Sequence, residues 1–341
     1  MRVVSSARIL ARAAQAARCD FGDTVKQNES VQWRLVGTTG PYLPGGSGVN
    51  PPAVTTYHND NNRTGLNSRE TTLTPSNVTV PVPPTSGTTV APTSGPTFGK
   101  LFSYSVVGNV TAQPLFVPNV RINGALHNVI VAMTDQNNVY WFDAESYSVN
   151  GQPLLLKNLG PVAVAPNEFQ GVGTPVVDAT TNTVYVVTKT VPTATACPNP
   201  PSGVAAVAVL HALDLSSGFE KFNGPQCIAG SFPGTGEGSV ASTQGSVASS
   251  TLNFDESNLS QRPALLLSNG YVYIGFESNG DVPQYHGWLF AYNASNLSLD
   301  PETFVDTPNA TSVPCAEAGC PLPPGQSTGC FYDPVRAGAG I

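Results

Sequence analysis

The chain has 341 residues with 33 Gly and 31 Pro, only 11% of its residues are charged, and its formal net charge is −7. An acidic balance without Lys or Arg runs argues against a nucleic-acid partner, and no apolar run is long enough for a transmembrane helix. Abundant Gly and Pro at low charge is typical of many short strands joined by turns. The composition therefore favours an all-β protein.

Residues 1–52 belong to no repeat, and we predict a disordered leader and linker there. Residues 1–19 carry four arginines and no acidic residue. This pattern fits an amphipathic transit-like leader, and equally a stray leader or an imperfect start of the reading frame. It lacks the uninterrupted apolar core of a secretory signal.

A polar cluster at residues 57–65 precedes a Pro/Ser/Thr/Gly-rich tract that predicts an exposed loop. Within the cluster, Asp60 and Arg63 could form part of a ligand rim. Alternatively, Arg63 forms an internal pair with a carboxylate and anchors this N-terminal segment to the ring, which we favour. The alternation of apolar and polar residues at 98–106 then predicts a strand.

One strand pattern occurs three times, at residues 139–143, 210–214 and 289–293. Each copy is rich in apolar residues and stops at Asp or Asn, which predicts a buried strand closed by a turn. Each is preceded by a strand that starts near Pro and by a second strand of β-branched and aromatic residues. We predict a fourth, outer strand at 153–157 in the first unit and at 220–223 in the second. Asn269-Gly270 predicts a type I′ hairpin in the third unit.

Repeated units of four antiparallel strands are typical of β-propeller blades. A β-sandwich is the alternative, but it does not require strands that recur in matched triplets. We predict an all-β propeller domain over residues 53–300, with about three blades at 110–160, 170–225 and 260–300. A closed ring normally takes about four to eight blades, so this ring is incomplete and we expect a partial chain. Open blade faces would expose unpaired edges and apolar surface.

The segments outside the blades are predicted from composition. Residues 230–250 are rich in Gly, Ser and Thr, which predicts a long surface loop. Residues 301–341 resume no repeat, and we expect a truncated Pro/Gly/Cys-rich tail.

Cys197 and Cys227 flank the third strand of the second unit and could pair. Three further cysteines in the tail, Cys315, Cys320 and Cys330, could tie a loop by disulfides. No Cys-x-x-Cys motif occurs, so we predict neither zinc nor c-type haem, and we assign no metal site. With eight Asn-x-Ser/Thr sequons, the cysteines favour an extracellular or periplasmic location over the cytosol.

Candidate site residues are few. Glu168 and Gln170 precede the innermost strand of the second unit, where polar groups facing a central channel would lie. His286 starts a strand and could face the channel, although a strand-start histidine bonded to a backbone carbonyl is commoner. No Ser/His/Asp or paired-carboxylate spacing assigns a catalytic residue.

These repeats resemble the pyrroloquinoline-quinone-type propellers, the quinoprotein alcohol dehydrogenase-like group. The second unit fits best, with Thr-Pro-Val-Val at 174–177, Val-Tyr-Val at 184–186 and His-Ala-Leu-Asp at 211–214. The segments 59–65, 73–78 and 98–104 follow the order of the group's N-terminal signature, which implies that 98–104 is an outer strand that closes the ring. The likeness covers roughly residues 55–300 and is closest to exported bacterial-type members with the same Tyr-His-Asn-Asp opening.

The enzymatic branch of this group has adjacent cysteines over the quinone and often a Cys-x-x-Cys-His haem site, and this sequence has neither. The branch's calcium ligands and catalytic Asp match no position here. We therefore favour a non-catalytic, exported scaffold that binds a protein or a carbohydrate through its loops. The alternative is a pyrroloquinoline-quinone-dependent alcohol or sugar dehydrogenase that uses Ca²⁺ as a Lewis acid. Outside that alternative we assign no cofactor.

Overall fold

The computed structural model describes most of the predicted propeller region. In the described part of the chain its regular structure is almost entirely β-strand, with a short 3-10 turn at Glu256–Asn258. The described residues are 52–67, 103–145, 151–163, 172–193, 197, 204–242, 249–278, 286–300 and 303–309.

The first two repeated units fold as four-stranded antiparallel sheets, each with its strands in chain order. Blade 1 consists of β1 (Leu115–Ile122), β2 (Ala125–Met133), β3 (Asn138–Asp143) and β4 (Leu155–Asn158). Blade 2 consists of β5 (Val176–Asp178), β6 (Thr183–Thr190), β7 (Val207–Asp214) and β8 (Gln226–Cys227).

A small sheet separates blade 2 from blade 3. This insertion sheet consists of β9 (Ser231–Pro233), β10 (Val240–Ser242) and β11 (Ser249–Asn253), with β11 in the middle. Blade 3 follows after β12 (Leu259–Ser260), which pairs with the far end of β14. Its four strands are β13 (Leu266–Ser268), β14 (Tyr271–Ser278), β15 (Trp288–Asn293) and β16 (Phe304–Val305).

The Asp or Asn that closes each third strand performs the same local task in all three blades. Its side-chain Oδ1 accepts a hydrogen bond from the backbone N–H two residues later, over 2.8 Å at Asp143, 3.0 Å at Asp214 and 2.9 Å at Asn293. This local bond turns the chain at the strand end. Asn269 and Gly270 have φ angles of 51° and 81°, as the predicted type I′ hairpin requires.

Blade 2 is buried on both faces, since alternate residues of β6 point to different neighbours. Val184 and Val186 pack with Trp141 of blade 1, whereas Tyr185 and Val187 belong to the cluster shared with blade 3. The Tyr185 hydroxyl donates to the carbonyl of Ala294 over 2.7 Å. Burial on both faces explains why β6 and β7 read as nearly continuous apolar runs.

The buried tyrosines between blades 2 and 3 make stability sensitive to alkali. Burial raises the pKa of Tyr185 to about 12 and also raises the pKa of Tyr292. Above a pH of about 10 the unfolded chain releases these protons while the folded chain retains them. We expect the free energy of unfolding to fall there by about 1.4 kcal/mol per pH unit for each tyrosine.

Urea unfolding followed by circular dichroism at about pH 9 and about pH 11 measures this loss. The Tyr292→Phe variant should lose less stability between the two pH values than the parent chain, because one of the two titrating hydroxyls is gone. Equal losses in parent and variant would show that Tyr292 does not titrate with unfolding.

The outer strand of blade 2 was wrongly predicted. It is formed by Gln226–Cys227, whereas Glu220 makes only an isolated bridge to Leu213. Phe222 and Asn223 have left-handed φ angles of 55° and 62°, so the chain cannot remain extended through 220–223. The first blade's outer strand lies at 155–158, close to the prediction.

Three other segments also differ from expectation. The predicted loop at 230–250 contains strands, because Leu252 and Phe254 at the end of the insertion sheet are buried in the blade 3 core and hold that sheet in place. The predicted tail contributes β16, whose Val305 is buried in the same core. The described part of the predicted strand at 98–106 is not a strand. Its Tyr104 and Val106 instead pack on a face of blade 1.

A disulfide joins Cys197 to Cys227, as the sequence allowed, with the two Cα atoms 4.9 Å apart. It ties the outer strand of blade 2 to the residues before β7. Cys315, Cys320 and Cys330 lie outside the described residues, as does the predicted leader. Within the described ranges, the structure contains no helix with the length and hydropathy to span a bilayer.

Candidate functional site

The polar cluster identified in the sequence lies against the innermost strands of the blades. We call residues 54–65 the inner segment. Val54 forms a two-bond bridge with Phe116 of β1, with N–O distances of 2.8 and 2.9 Å. The carbonyl of Thr55 accepts from the N–H of Val177 in β5 over 2.8 Å. The inner segment therefore bonds to backbone groups on the inner edges of blades 1 and 2, which would otherwise be open to another strand.

Two side chains extend the inner segment to blade 3. The Arg63 guanidinium donates to the carbonyl of Leu265 over 3.0 Å, just before β13. The Asn61 amide donates to the carbonyl of Leu267 over 2.9 Å. Arg63 also donates to the Thr56 hydroxyl and to the carbonyl of Tyr57, over 2.5 and 2.9 Å. All three blades thus share one anchor.

Asp60 shapes the turn that presents Arg63. Its Oδ1 accepts from the Asn62 N–H over 2.8 Å, and the Thr64 hydroxyl donates to its Oδ2. The pKa of the Asp60 carboxyl is below its usual value, mainly because of the hydrogen bond from the Thr64 hydroxyl. Burial lowers the pKa of Arg63, while Tyr57 and Asp60 act in the opposite direction. Arginine stays protonated despite such shifts, so it remains a cation at the anchor.

The residues before the innermost strands also bond to one another. Gln113 accepts from the His58 N–H over 3.2 Å, and its own N–H donates to the Thr174 hydroxyl over 3.0 Å. The carbonyl of Thr174 accepts from the N–H of Leu265 over 2.9 Å. Next to it, a Cβ on Gly173 would lie 2.4 Å from the carbonyl oxygen of Pro263, so only glycine allows this approach.

The described members of the predicted site lie in different places, with Asp60 and Arg63 in the inner segment and His286 beside the insertion sheet. Arg63 donates to hydroxyl and carbonyl oxygens rather than to the carboxylate that the sequence interpretation had given it, and Asp60 bonds within its own turn. His286 lies two residues before β15 and is 4% exposed, and its Nε2 donates to the carbonyl of Glu237 over 2.9 Å. Glu168 and Gln170 lie outside the described residues.

Sequence reasoning missed a buried hydrogen-bonded chain in blade 2. The Nδ1 of His211 lies 2.6 Å from Glu220 Oε1, and its Nε2 lies 3.0 Å from the Thr188 hydroxyl. Thr188 and His211 are 1% and 3% exposed, so no substrate reaches this hydroxyl. The arrangement fixes the turn after β7 and is structural.

A second missed feature is a crevice between the insertion sheet and blade 3. Its polar rim is formed by Glu237, Asn253, Asp255 and His286, with Leu259 and Trp288 among its apolar walls. These residues come from three separate parts of the chain, so no local sequence motif identifies them. We call it the His286 crevice.

A calcium-bound quinone would need a cluster of oxygen ligands from the protein. Hard cations such as Ca²⁺ need about six to eight oxygen ligands, with carboxylates prominent among them. Across the described ranges, no group of three or more His, Cys, Asp or Glu side chains is placed to hold a metal ion. The acidic Asp60 of the inner segment is already bonded to Thr64 and Asn62.

The chain matches no family model and no curated protein. Among solved structures, quinohemoprotein alcohol dehydrogenase from Comamonas testosteroni is similar over 63% of this chain and 33% of its own, at 13% identity and a TM-score of 0.33. BamB from Moraxella catarrhalis is similar over 62% of this chain and 53% of its own, at 15% identity and a TM-score of 0.25. A europium-containing methanol dehydrogenase is similar over 64% of this chain and 40% of its own, at 10% identity and a TM-score of 0.32.

The chain spans about a third to a half of the length of these proteins. The alcohol dehydrogenase is, by its name, of the quinoprotein group that the sequence resembles. The class of protein is established by the sheets themselves: this is a propeller-type repeat protein with three four-stranded antiparallel blades among the described residues, which do not close a ring.

Proposed function

We propose that this protein is a non-catalytic propeller-type scaffold that binds a protein partner outside the cytosol. The observation that carries the proposal is the sheet face of blade 3 that points away from blade 2. Three residues in register across the inner strands define this forward face, namely Leu266, Tyr273 and Ala291.

The residues at the same register positions in blades 1 and 2 show what this face packs against. In blade 1 they are Leu115, Val131 and Trp141, which pack on blade 2 and are at most 1% exposed. In blade 2 they are Val176, Tyr185 and Ala212, which pack on blade 3 and are at most 2% exposed. The forward faces of blades 1 and 2 are thus apolar, and each packs against the next blade.

In blade 3 the equivalent residues are apolar as well, but all three are only partly buried. On the same sheet, Leu289 is partly buried and its pairing partner Phe304 is 57% exposed. Tyrosine and other large apolar residues at such a surface are typical of protein interfaces. A further blade or a separate protein partner on this face would repeat the packing already present between blades.

The inner segment argues for a binding role over a catalytic one. Residues of the chain itself bond to the innermost strands of all three blades, so these backbone groups are not free to bind a substrate. The disulfide between Cys197 and Cys227 supports an oxidising compartment, extracellular or periplasmic.

A charge on the forward face should abolish partner binding. The immobilised chain and its Tyr273→Lys variant are compared for the proteins that they retain from an extract of the exported fraction, and the retained protein is then titrated. We expect at least about a tenfold loss of affinity, because the lysine ammonium must be desolvated in the interface. Leu126→Lys, at a residue 58% exposed on β2, is the matched control and should bind like the parent.

A partner that binds parent and Tyr273→Lys equally would place the interface elsewhere. The dehydrogenase alternative has its own test, in which quenching of tryptophan fluorescence by added pyrroloquinoline quinone is measured with and without Ca²⁺. Saturable, calcium-dependent quenching would overturn the non-catalytic proposal.

A further inference from the structure

We infer that Asn123 and Asn269 are sites of spontaneous deamidation, because the fold leaves the backbone nitrogen of the glycine after each of them free to attack the asparagine side chain. The products are aspartate and isoaspartate, and the only co-reactant is water. The inference concerns two hairpin tips and does not depend on the proposed scaffold role.

Both asparagines lie at the tip of a two-residue hairpin. Asn123-Gly124 joins β1 to β2, and Asn269-Gly270 joins β13 to β14. The φ angles are 50° and 85° in the first tip and 51° and 81° in the second, as in a type I′ turn. All four residues are exposed, so water reaches both tips.

The type I′ turn leaves the reacting nitrogen without a hydrogen bond. The ladder of the blade 3 hairpin stops at Ser268 and resumes at Tyr271, and within the described part of the chain the Gly270 N–H has no acceptor. Gly124 is placed in the same way in the blade 1 hairpin. No atom lies within 4 Å of the point where a Cβ would stand on either glycine. Nothing therefore obstructs the approach of the asparagine side chain to this nitrogen.

The reaction is an acyl transfer within the chain, and asparagine is a thermolabile residue for this reason. The Gly270 nitrogen loses its proton and attacks the side-chain carbonyl carbon of Asn269. The bond from that carbon to Nδ2 breaks, and ammonia leaves with the proton. Water then opens the resulting succinimide at one of its two carbonyls, which gives aspartate or isoaspartate.

A third Asn-Gly pair provides a control within the same chain. Asn223 is exposed, like the other two asparagines, but the Gly224 N–H donates to the carbonyl of Lys221 over 2.8 Å. A Cβ on Gly224 would lie only 2.6 Å from Glu220 Oε2, so the approach is also crowded. Because this nitrogen must first lose its hydrogen bond, Asn223 should convert about tenfold more slowly.

Isoaspartate at position 269 would disturb blade 3. It routes the main chain through the side-chain carbon and so adds a backbone atom to a turn of two residues. Ser268 and Tyr271 pair directly on either side of this turn, so the extra atom shifts or breaks their pairing. We therefore expect the aged hairpin to lose protection from hydrogen exchange.

The test incubates the full chain at mildly alkaline pH, both folded and in urea, and follows each asparagine by peptide mapping with mass spectrometry. An isoaspartate carboxyl methyltransferase identifies the isoaspartate product. In the folded chain, Asn123 and Asn269 should convert about tenfold faster than Asn223. In urea all three should convert at similar rates, since each precedes a glycine.

The matched variant is Asn269→Gly, because Gly-Gly also forms a type I′ turn but has no side-chain amide. Its β13–β14 hairpin should keep its hydrogen-exchange protection during an incubation in which the parent chain loses it.

Equal conversion of Asn223 and Asn269 in the folded chain would overturn the inference, since the free glycine nitrogen would then confer no advantage. Conversion of Asn269 in urea but not in the folded chain would also overturn it, because the hairpin would then protect its own tip.

Discussion

Replacing Phe290 by alanine is expected to lower the free energy of unfolding by about 4 kcal/mol. The Phe290 ring is fully buried on β15 and lies 4.9 Å, centroid to centroid, from Phe254 of the insertion. It also contacts Phe276 and Trp288, each at 5.8 Å. Truncation removes the ring that joins the insertion to blade 3, and the rigid rings around it cannot collapse into the cavity. Urea unfolding followed by circular dichroism measures the loss.

The matched control is Phe219→Ala, since Phe219 is 68% exposed on the turn after β7. Its ring contacts the Lys157 ammonium at 5.6 Å, so we expect a loss of only about 0.5 kcal/mol. If Phe290→Ala and Phe219→Ala cost the same, the aromatic cluster does not support the insertion and the His286 crevice loses its structural basis.

Replacing Arg63 by methionine is expected to cost about 3 kcal/mol. Methionine retains much of the aliphatic stem but removes the charge-assisted bonds to Thr56, Tyr57 and Leu265. Such bonds contribute about 1.5–3 kcal/mol each when buried, and the half-buried position of Arg63 reduces this sum. The inner segment should detach from blade 3 first. Limited proteolysis at residues 52–67, combined with urea unfolding, follows both effects.

Arg121→Met is the control, because Arg121 is exposed and donates to the Gly124 carbonyl within its own hairpin. It should lose no more than about 0.5 kcal/mol. The comparison also decides between the two interpretations of Arg63. If Arg63→Met leaves stability and proteolysis unchanged but weakens ligand binding, Arg63 belongs to a ligand rim and the anchoring interpretation is wrong.

The sequence predicted the parts of the fold that local chemistry determines. The third strand of each blade is recognisable because an apolar run meets an Asp or Asn whose side chain bonds to its own backbone. The hairpin at Asn269 is recognisable because two adjacent residues adopt positive φ angles. Cys197 and Cys227 flank one predicted strand and are close in sequence, so the sequence could suggest their pairing.

The wrong predictions concern elements that are held by distant contacts. The strands of the insertion sheet are short and polar, and what fixes them is the burial of Leu252 and Phe254 in blade 3. The two-residue strand β8 pairs with β7 only after the chain has passed through the left-handed turn at 222–223. The His286 crevice was missed for the same reason, because its rim joins residues that are far apart in sequence.

The inner segment also dictates an order of events during synthesis. Its bonds from Arg63 and Asn61 reach acceptors 202 and 206 positions further along the chain. At a translation rate of about 5–20 residues per second, Arg63 waits at least about 10 s for its blade 3 partner to emerge. Blades 1 and 2 can stack during that interval, but the inner segment completes its bonds only after blade 3 has formed. Arg63 and Asn61 are synthesised early but complete their bonds only after blade 3 has emerged, so protection of the inner segment from protease reports the assembly of all three blades.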